Sequence, residues 1–453
     1  MEDNVQPVED SKTKLFQFLR VYPEEWGVFA ILGLVFFCNS IATQVAAVAS
    51  VSGFLKGGGV HQIPILWIVD MLAILLAAGL QSLIVDRFER ISLVKMMVLG
   101  FGVIFVLLRF MFYLHTPEWL SYGVMMIISD LQWLFFPLIF WTLAQDVFTV
   151  AQAKRLFSPL ASIGFIGRLL GLAIVSVAPQ IFDKGGTAAK ELLLLNVAIY
   201  IVAYFLVVIG LRKIKIRKVV EHTETAREIL SEGWDFVKNV PAFRYLAIAI
   251  LAINISMTLM EFGFFVVTHQ AFTTNYQTFY GLYRLGLTIL YFILQGVVIS
   301  RLIEKMTLKN SFLLMPVTLM IGSFWMLFAG ALSAIGGTVV PKAVHYTAYD
   351  SARRSFQAMI PEERRGRVSM FLESYLFALG IILASLLILG ALSLGNWLGE
   401  VLASYIYRGL ALVCSAWAFW AIMKMRQVYD RSMLDWRLKR RQRGGTVLGK
   451  LDF

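Results

Sequence analysis

The chain has 453 residues, of which 58% are hydrophobic and only 15% are charged, and its mean hydropathy is +0.73. Soluble globular proteins carry about 25% charged residues, so this composition excludes a soluble globular protein. Long apolar stretches recur along the chain, and each can cross a hydrocarbon core that needs roughly 20 residues. They predict an all-α polytopic membrane protein.

About twelve spans follow from these stretches. A polar segment (1–25) comes first, then a six-helix bundle (26–211), a linker (212–241), a second six-helix bundle (242–424) and a basic tail (425–453). The predicted spans are 26–52, 63–85, 92–113, 120–143, 157–181, 190–211, 242–270, 276–300, 310–333, 335–357, 369–394 and 399–424.

The basic residues predict the orientation. With both termini in the cytoplasm, the outward loops contain only Lys56, Lys184 and Lys190 of the 41 Lys and Arg residues. Because Lys and Arg gather in cytoplasmic loops, we expect a multi-pass protein of the cell (inner) membrane with both termini inside. The net charge of +12 then reflects topology, and no nucleic-acid partner is expected.

The linker and the loops that flank it suggest an internal repeat. From Glu221 to Lys238 the linker alternates charged and apolar positions, like an amphipathic helix that lies on lipid headgroups. "DRFERISLVK" (86–95) is echoed by "SRLIEKMTLKN" (300–310), and "AQDVF" (144–148) by "AYDSA" (348–352). A six-helix repeat in one orientation is the plan of the major facilitator superfamily, with the solute site expected between the halves.

The "DRFER" loop after the second span also resembles a signature of that superfamily. There Asp86, with Arg87 and Arg90, would pair with another helix end and form a conformational latch. The alternative is a positively charged inner loop with no further role.

Glu261 is a single carboxylate within the apolar run "ISMTLMEFGFFVV" (255–267) of the seventh span. A charge at the bilayer centre costs at least about 2.5–3.5 kcal/mol, so such residues face a partner or a water-filled cavity. Asn254 and Thr258 share its helix face. The residue is a protonatable coupling group, or half of an ion pair with Arg284, or a structural pair without a role in transport.

Polar residues of other spans are further candidates. In the tenth span Lys342 and Tyr346 lie on one stripe that suits an anionic or aromatic ligand, and the alternative is that Lys342 pairs with an acid such as Glu373. Arg353 and Arg354 are expected to reach lipid headgroups from the cytoplasmic end of that span. Three further candidates are Asn39, Asp70 and Asp130, in the first, second and fourth spans.

The sequence lacks the motifs of several classes of catalytic and metal-binding sites. There is no phosphate loop, no H-E-x-x-H helix, no serine elbow and no Cys/His cluster, so we expect no enzyme, no cofactor and no metal. Transport would be driven by exchange or by a coupling ion, either a proton or sodium. The expected partners are a small solute and the lipid bilayer.

Three stretches resemble the nucleotide transporters of plastids and intracellular bacteria, which exchange ATP for ADP and look like a branch of the major facilitator fold. They are "QDVFTVAQAKRLF" (145–157), "NISMTLME" (254–261) and "YDSARR" (349–354) with Ile-Pro at 360–361. The resemblance implies that the family's functional glutamate corresponds to Glu261 and that Asp350 is a site residue.

The departures from the family concern its phosphate-binding cations. Phe265 stands where the family has a lysine, and "QVAAV" (44–48) replaces a charged run in the first span. The sequence therefore predicts a divergent secondary transporter, working by alternating access, for a small anionic or nucleotide-like solute. An ATP/ADP exchanger proper, a lipid translocase and a non-transporting scaffold are the alternatives.

Overall fold

The computed structural model describes residues 21–84, 89–182, 188–212, 226–299, 308–328, 330–357, 360 and 362–448. These residues form helices and turns, and no strand occurs among them. Nine helices within this part of the chain are long and apolar enough to cross a membrane. An all-α polytopic membrane protein, as the composition predicts, is confirmed.

The chain divides into two compact units. The first comprises the described parts of Met1–Gly59, Leu80–Thr223 and Thr274–Gly286. Its helices are α1 (Pro23–Gly57), α3 (Arg90–Tyr113), α4 (Glu118–Val147), α5 (Val150–Phe182) and α6 (Ala188–Gly210), with the end of α2 (Ile63–Ile84) and the start of α9 (Tyr276–Ile293).

The second unit comprises Val60–Gly79 and the described parts of Glu224–Thr273 and Leu287–Phe453. It begins with a 3₁₀ turn (Val60–Gln62) and the larger part of α2. Its other helices are α7 (Ala226–Asn239), α8 (Pro241–Ala271), the end of α9, α10 (Leu308–Ser311), α11 (Leu314–Trp325), α12 (Ala331–Val344), α13 (Asp350–Gln357), α14 (Glu362–Met370), α15 (Leu376–Leu398) and α16 (Glu400–Leu448).

Three of the twelve predicted spans are broken or end in a π turn, and a fourth, the eleventh, contains a π turn within a continuous candidate span. A π-helical turn (Leu294–Ile299) follows α9, the ninth predicted span contains the separate helices α10 and α11, and the tenth changes from α12 through a π turn (His345–Tyr349) into α13. These three are the predicted spans that fall outside the nine. A third π turn (Phe371–Tyr375) joins α14 to α15.

The first and seventh spans, α1 and α8, are the most buried of the nine. Each has a proline in its first turn, Pro23 and Pro241, where the missing N–H costs no helical hydrogen bond. Because both helices are apolar on all sides, each forms the core of its unit. This correspondence agrees with the predicted six-helix repeat.

Glycines on α5 let it approach α1 closely. A Cβ at Gly167 would lie 2.7 Å from the backbone oxygen of Phe37, and one at Gly171 would lie 2.7 Å from that of Ile41. Such close backbone approach is the usual role of small residues in membrane helices. The glycine stripe of α5 is therefore a packing surface.

The linker helix α7 packs on protein rather than only on lipid headgroups. Glu232 pairs with Arg364 at 3.1 Å and also with Arg367 of α14, and Gly233 lies against Phe371. Trp234 is exposed on α7. Glu232 of this helix thus has two guanidinium partners within its own unit, and lipid contact by the helix remains a prediction.

Candidate functional site

The carboxylate of Glu261 lies in a closely packed part of the second unit. Its helix neighbours Met260 and Phe262 are fully buried, and Thr258 donates a hydrogen bond to the carbonyl oxygen of Asn254 one turn earlier, at 2.8 Å. The helix backbone is thus satisfied internally, as a membrane interior requires. The carboxylate of Glu261 still requires a cation or hydrogen-bond donors as partners.

That partner is Lys342. Its Nζ lies 2.5 Å from Oε2 of Glu261, and the two side chains are 12% and 22% exposed. The ammonium also lies 5.4 Å from the ring centroid of Phe264, which adds a cation–π contact. The geometry thus selects the ion-pair interpretation of Glu261, with a cation from α12.

The backbone of α12 explains how Lys342 reaches this position. Gly322 of α11 lies against the carbonyl oxygen of Gly337 in α12, so the two helices approach closely. Pro341 within α12 cannot donate the hydrogen bond that an ordinary residue would give to that carbonyl. The helix then passes into the π turn at His345, which redirects the side chains that follow.

Aromatic residues surround this pair within the same unit. Phe265, at the position where the resembling family has a lysine, is 2% exposed, and its ring lies 6.1 Å from that of Trp67. Tyr346 is 52% exposed, and its ring centroid lies 5.3 Å from that of Tyr291, with the two rings tilted. Lys342 supplies a cation here, and that cation is already paired with the Glu261 carboxylate.

A second charged cluster lies farther along the tenth predicted span. Asp350 accepts a hydrogen bond from Arg353 at 2.7 Å and pairs with Arg354 at 2.9 Å. Arg353 also lies 3.6 Å from Glu373, which belongs to the π turn before α15. Arg353 was expected, with Arg354, to reach headgroups, which is wrong for Arg353 because it lies between Asp350 and Glu373. The alternative that Lys342 pairs with Glu373 is also wrong, because Lys342 pairs with Glu261.

Asn39 belongs to a buried polar network of the first unit. Its side-chain oxygen accepts hydrogen bonds from Tyr200 at 2.9 Å and from Gln132 at 3.3 Å, and Gln132 also donates to the Tyr200 hydroxyl at 2.5 Å. All three side chains are buried. The sequence analysis did not identify Tyr200, because a tyrosine in a span is ordinary and only the fold brings it to Asn39.

The remaining predicted site residues are dispersed. Asp70, in α2, is 1% exposed and belongs to the second unit. Asp130 is half-buried in α4. Arg284 lies in the first unit with its guanidinium 5.9 Å from the ring centroid of Tyr280.

The predicted latch is described only in part. Arg90 lies 3.6 Å from Asp146 at the end of α4, with both side chains largely buried. Asp86 and Arg87 fall outside the described residues. Asp146 is the acid in "AQDVF" (144–148), one of the stretches that recur in the second half of the chain. This internal repeat is the sequence signal that could have identified Asp146 as the partner of Arg90.

Solved structures resemble the chain at the level of fold. It aligns with the nucleoside transporter NupG at a TM-score of 0.63 and 11% identity over 88% of this chain and 98% of that one. A bacterial homologue of the iron transporter ferroportin aligns at 0.62 and 15% over 89% and 99%, and a D-xylose–proton symporter at 0.59 and 10% over 87% and 97%. At these identities the likeness shows the major facilitator fold.

The match of the sequence to a family model assigns the chain more specifically than the structural likenesses do. No match is found among curated proteins. The family model described as TLC ATP/ADP transporter matches residues 103–347, more than half of the chain. The matched region contains Glu261 and Lys342 and two of the three stretches that resemble nucleotide transporters, 145–157 and 254–261. The chain is a multi-pass membrane transporter that belongs to the TLC ATP/ADP transporter family.

Proposed function

We propose that this transporter moves a small anionic or nucleotide-like solute by alternating access, and that the Glu261–Lys342 pair binds it. The observation that carries the proposal is the ion pair itself: a carboxylate on a deeply buried span and a lysine on a neighbouring one, 2.5 Å apart. Charged residues retained within spans mark solute and ion pathways.

The pair offers one cation and one anion to a solute. An anionic group can take the place of Glu261 beside Lys342, while a donor group such as an exocyclic amine can bind Glu261. The ring of Tyr346, four residues after Lys342 and 52% exposed, provides aromatic surface for a base. Occupation of the site by such a solute would therefore break the ion pair and favour the conformational change that follows binding.

Polyphosphates are expected to bind more weakly than nucleosides or monophosphates. Phe265 is buried against Trp67, and the residues at 44–48 of α1 bear no charge. Phosphate recognition relies on several charge-assisted hydrogen bonds, whereas Lys342 supplies one. We therefore infer a divergent member of the family with a less charged substrate.

An ATP/ADP exchanger proper is the second candidate, favoured by the family match. The two candidate functions predict different orders of exchange rate among adenosine, AMP, ADP and ATP. Counterflow into proteoliposomes with radiolabelled adenosine, AMP, ADP and ATP separates them. We expect adenosine or AMP to exchange fastest, while fastest exchange of ADP and ATP would establish the second candidate.

The role of Glu261 is tested by Glu261→Gln. This change keeps the side-chain shape but removes the charge that holds Lys342, so we expect uptake to be abolished while the protein is still expressed and folded. Glu400→Gln, at an exposed position at the start of α16, is the matched control and should transport normally. Normal transport kinetics in Glu261→Gln would refute the proposed site.

The chain is also proposed to lie in the cell (inner) membrane with both termini in the cytoplasm. The support is the distribution of basic residues, since of 41 Lys and Arg only Lys56, Lys184 and Lys190 fall in the predicted outward loops. Energy would come from exchange or an ion gradient, because the sequence has no nucleotide-hydrolysis motif.

A further inference from the structure

Arg408 is a cation within the last span of the second unit. It lies in α16, in the segment Glu400–Asp430 that is long and apolar enough to cross a membrane. The residue is partly buried, and an arginine side chain stays protonated in proteins. Because a charge within a span is costly unless it has a partner or faces water, Arg408 requires an anion.

The described residues provide no carboxylate in contact with Arg408. None of their ion pairs includes it, and its Nε is buried without a hydrogen-bond partner. The helices that pack on α16 are α8, α10, α11 and α15, and their only acidic residue is Glu261 of α8. Within α16 itself, the nearest acid in sequence is Glu400, about 12 Å along the helix axis. The counter-ion of Arg408 is therefore either Glu261 or a group from outside the protein.

Glu261 does not serve Arg408, because it belongs to another face of α8. Its carboxylate is paired with Lys342 of α12. The residue before Arg408, Tyr407, packs instead on Gly263, where an added Cβ would lie 3.4 Å from Cε2 of the tyrosine. With about 3.6 residues per helical turn, Gly263 lies on nearly the opposite side of α8 from Glu261. An external anion is thus the remaining partner for Arg408.

The hydroxyl of Tyr407 is a second polar group with an unused donor at this place. Tyr407 is 2% exposed, its ring lies 5.1 Å from that of Phe262, and its hydroxyl makes no hydrogen bond to the described residues. The guanidinium of Arg408 lies 5.9 Å from the centre of the Tyr407 ring and acts electrostatically on the hydroxyl. Because a buried donor without an acceptor is destabilising, two adjacent ones indicate a site for an acceptor.

We propose that Arg408 and the Tyr407 hydroxyl bind one phosphate group, at a site separate from the Glu261–Lys342 pair. A guanidinium presents its N–H donors in a planar fork that matches the oxygens of a phosphate, and the tyrosine hydroxyl adds a further donor. The bound negative charge compensates a cation that is otherwise unpaired within the span. The site lies on the other side of α8 from the solute pair, so it does not depend on the identity of the solute.

Two sources supply such a phosphate, a lipid headgroup and a free phosphate ion. Arg408 lies about 12 Å along the axis from the beginning of α16, and a long arginine side chain can extend from there toward the headgroups. A free phosphate ion presents the same oxygens from the water phase. The same donors recognise both, so the two sources are separated by experiment.

Thermal unfolding of the purified full-length protein, in lipid-free detergent at constant ionic strength, tests the site. The probes are phosphatidylglycerol, diacylglycerol with the same acyl chains, and inorganic phosphate. We expect a saturable rise in the unfolding midpoint with phosphatidylglycerol but not with diacylglycerol, which lacks the phosphate. That result assigns a lipid headgroup, whereas a rise with inorganic phosphate alone assigns a free ion to the same site. Equal stabilisation by the two lipids, or no rise with any probe, overturns the proposal.

Variants then assign the effect to the two donors. Arg408→Gln should weaken the apparent affinity for the stabilising probe by about tenfold to hundredfold, because hydrogen bonds to charged groups are the stronger ones. Tyr407→Phe removes a hydroxyl without hydrogen bonds to the described residues, so it should fold normally and bind about twofold to tenfold more weakly. The matched control is Arg244→Gln, at an exposed position where the guanidinium lies 5.7 Å from the ring of the neighbouring Tyr245; it should bind like the wild type. Wild-type affinity in Arg408→Gln or in Tyr407→Phe, or an equal loss in Arg244→Gln, contradicts the site.

Discussion

Glu261 and Lys342 form a largely buried ion pair, with side chains that are 22% and 12% exposed. The pair between Lys309 and Asp430 has a similar short distance, 2.7 Å, but its side chains are 31% and 67% exposed. Exposed pairs contribute about 0–1 kcal/mol, whereas removing one member of a buried pair leaves an uncompensated charge. The two pairs provide a comparison of the same chemistry in two environments.

Lys342→Met should lower the thermal unfolding midpoint strongly, because breaking a buried pair costs about 3–5 kcal/mol. The double change Glu261→Gln and Lys342→Met should restore most of the midpoint, since no unpaired charge remains. Lys309→Met is the control and should have little effect. Differential scanning fluorimetry of the wild type and the three variants measures these shifts, and a double variant no better than Lys342→Met would contradict a direct pair.

The sequence predicted the unusual residue but not its partner. Glu261 stands out because a carboxylate breaks an otherwise apolar run, and that signal is local. The choice between Arg284 and Lys342 as its cation depends on which helices pack together, which periodicity does not encode. The same limit explains why Arg353 and Glu373 were misplaced, since each was assigned from its own helix alone.

At the scale of elements, α5 and α1 meet through glycines whose missing Cβ atoms allow backbone contact. Gly171→Ala should therefore destabilise the protein, because the new methyl group meets the backbone of Ile41 and the helices must separate. Gly100→Ala, on α3, meets nothing within 4 Å, and it should stabilise by about 1 kcal/mol through helix propensity alone. Opposite shifts in unfolding midpoint are expected, and equal shifts would contradict close packing at Gly171.

Helix positions were more predictable than helix interruptions. The spans followed from the length of apolar runs, which the bilayer thickness dictates, and their ends agree with the structure to within a few residues at helices such as α3 and α8. The π turns at 345–349 and 371–375 were missed. A π turn inserts one residue into a helix without altering its apolar character, so hydropathy does not detect it.

At the scale of the whole molecule, the proposed topology rests on the distribution of basic residues. Cysteine labelling in a background of Cys38→Ser and Cys414→Ser tests it. Lys184→Cys should react with a membrane-impermeant maleimide in intact cells, because its predicted loop faces outward. Lys218→Cys, in the basic linker, should react only after permeabilisation, and labelling of both in intact cells would contradict the orientation.

Fold, family and membrane character were accessible from the sequence because they rest on many residues at once. The division at 212–241 remains a prediction, and the compact units follow it except that 60–79 groups with the second unit and 274–286 with the first. Which unit these two segments join depends on tertiary packing. The sequence alone therefore indicates where apolar helices lie more reliably than which neighbours each helix has.

The neutrality of the Glu261–Lys342 pair has an electrical consequence. One elementary charge crossing the membrane potential changes the free energy by about 2.3 kcal/mol per 100 mV, but a carrier that reorients with its cation and anion bound to each other moves no net charge at this pair. The return of the empty protein should then be insensitive to voltage at this site, and any current should come from the solute or its companion ion. Voltage-step recordings from solid-supported membranes would register this as a missing transient in the absence of substrate.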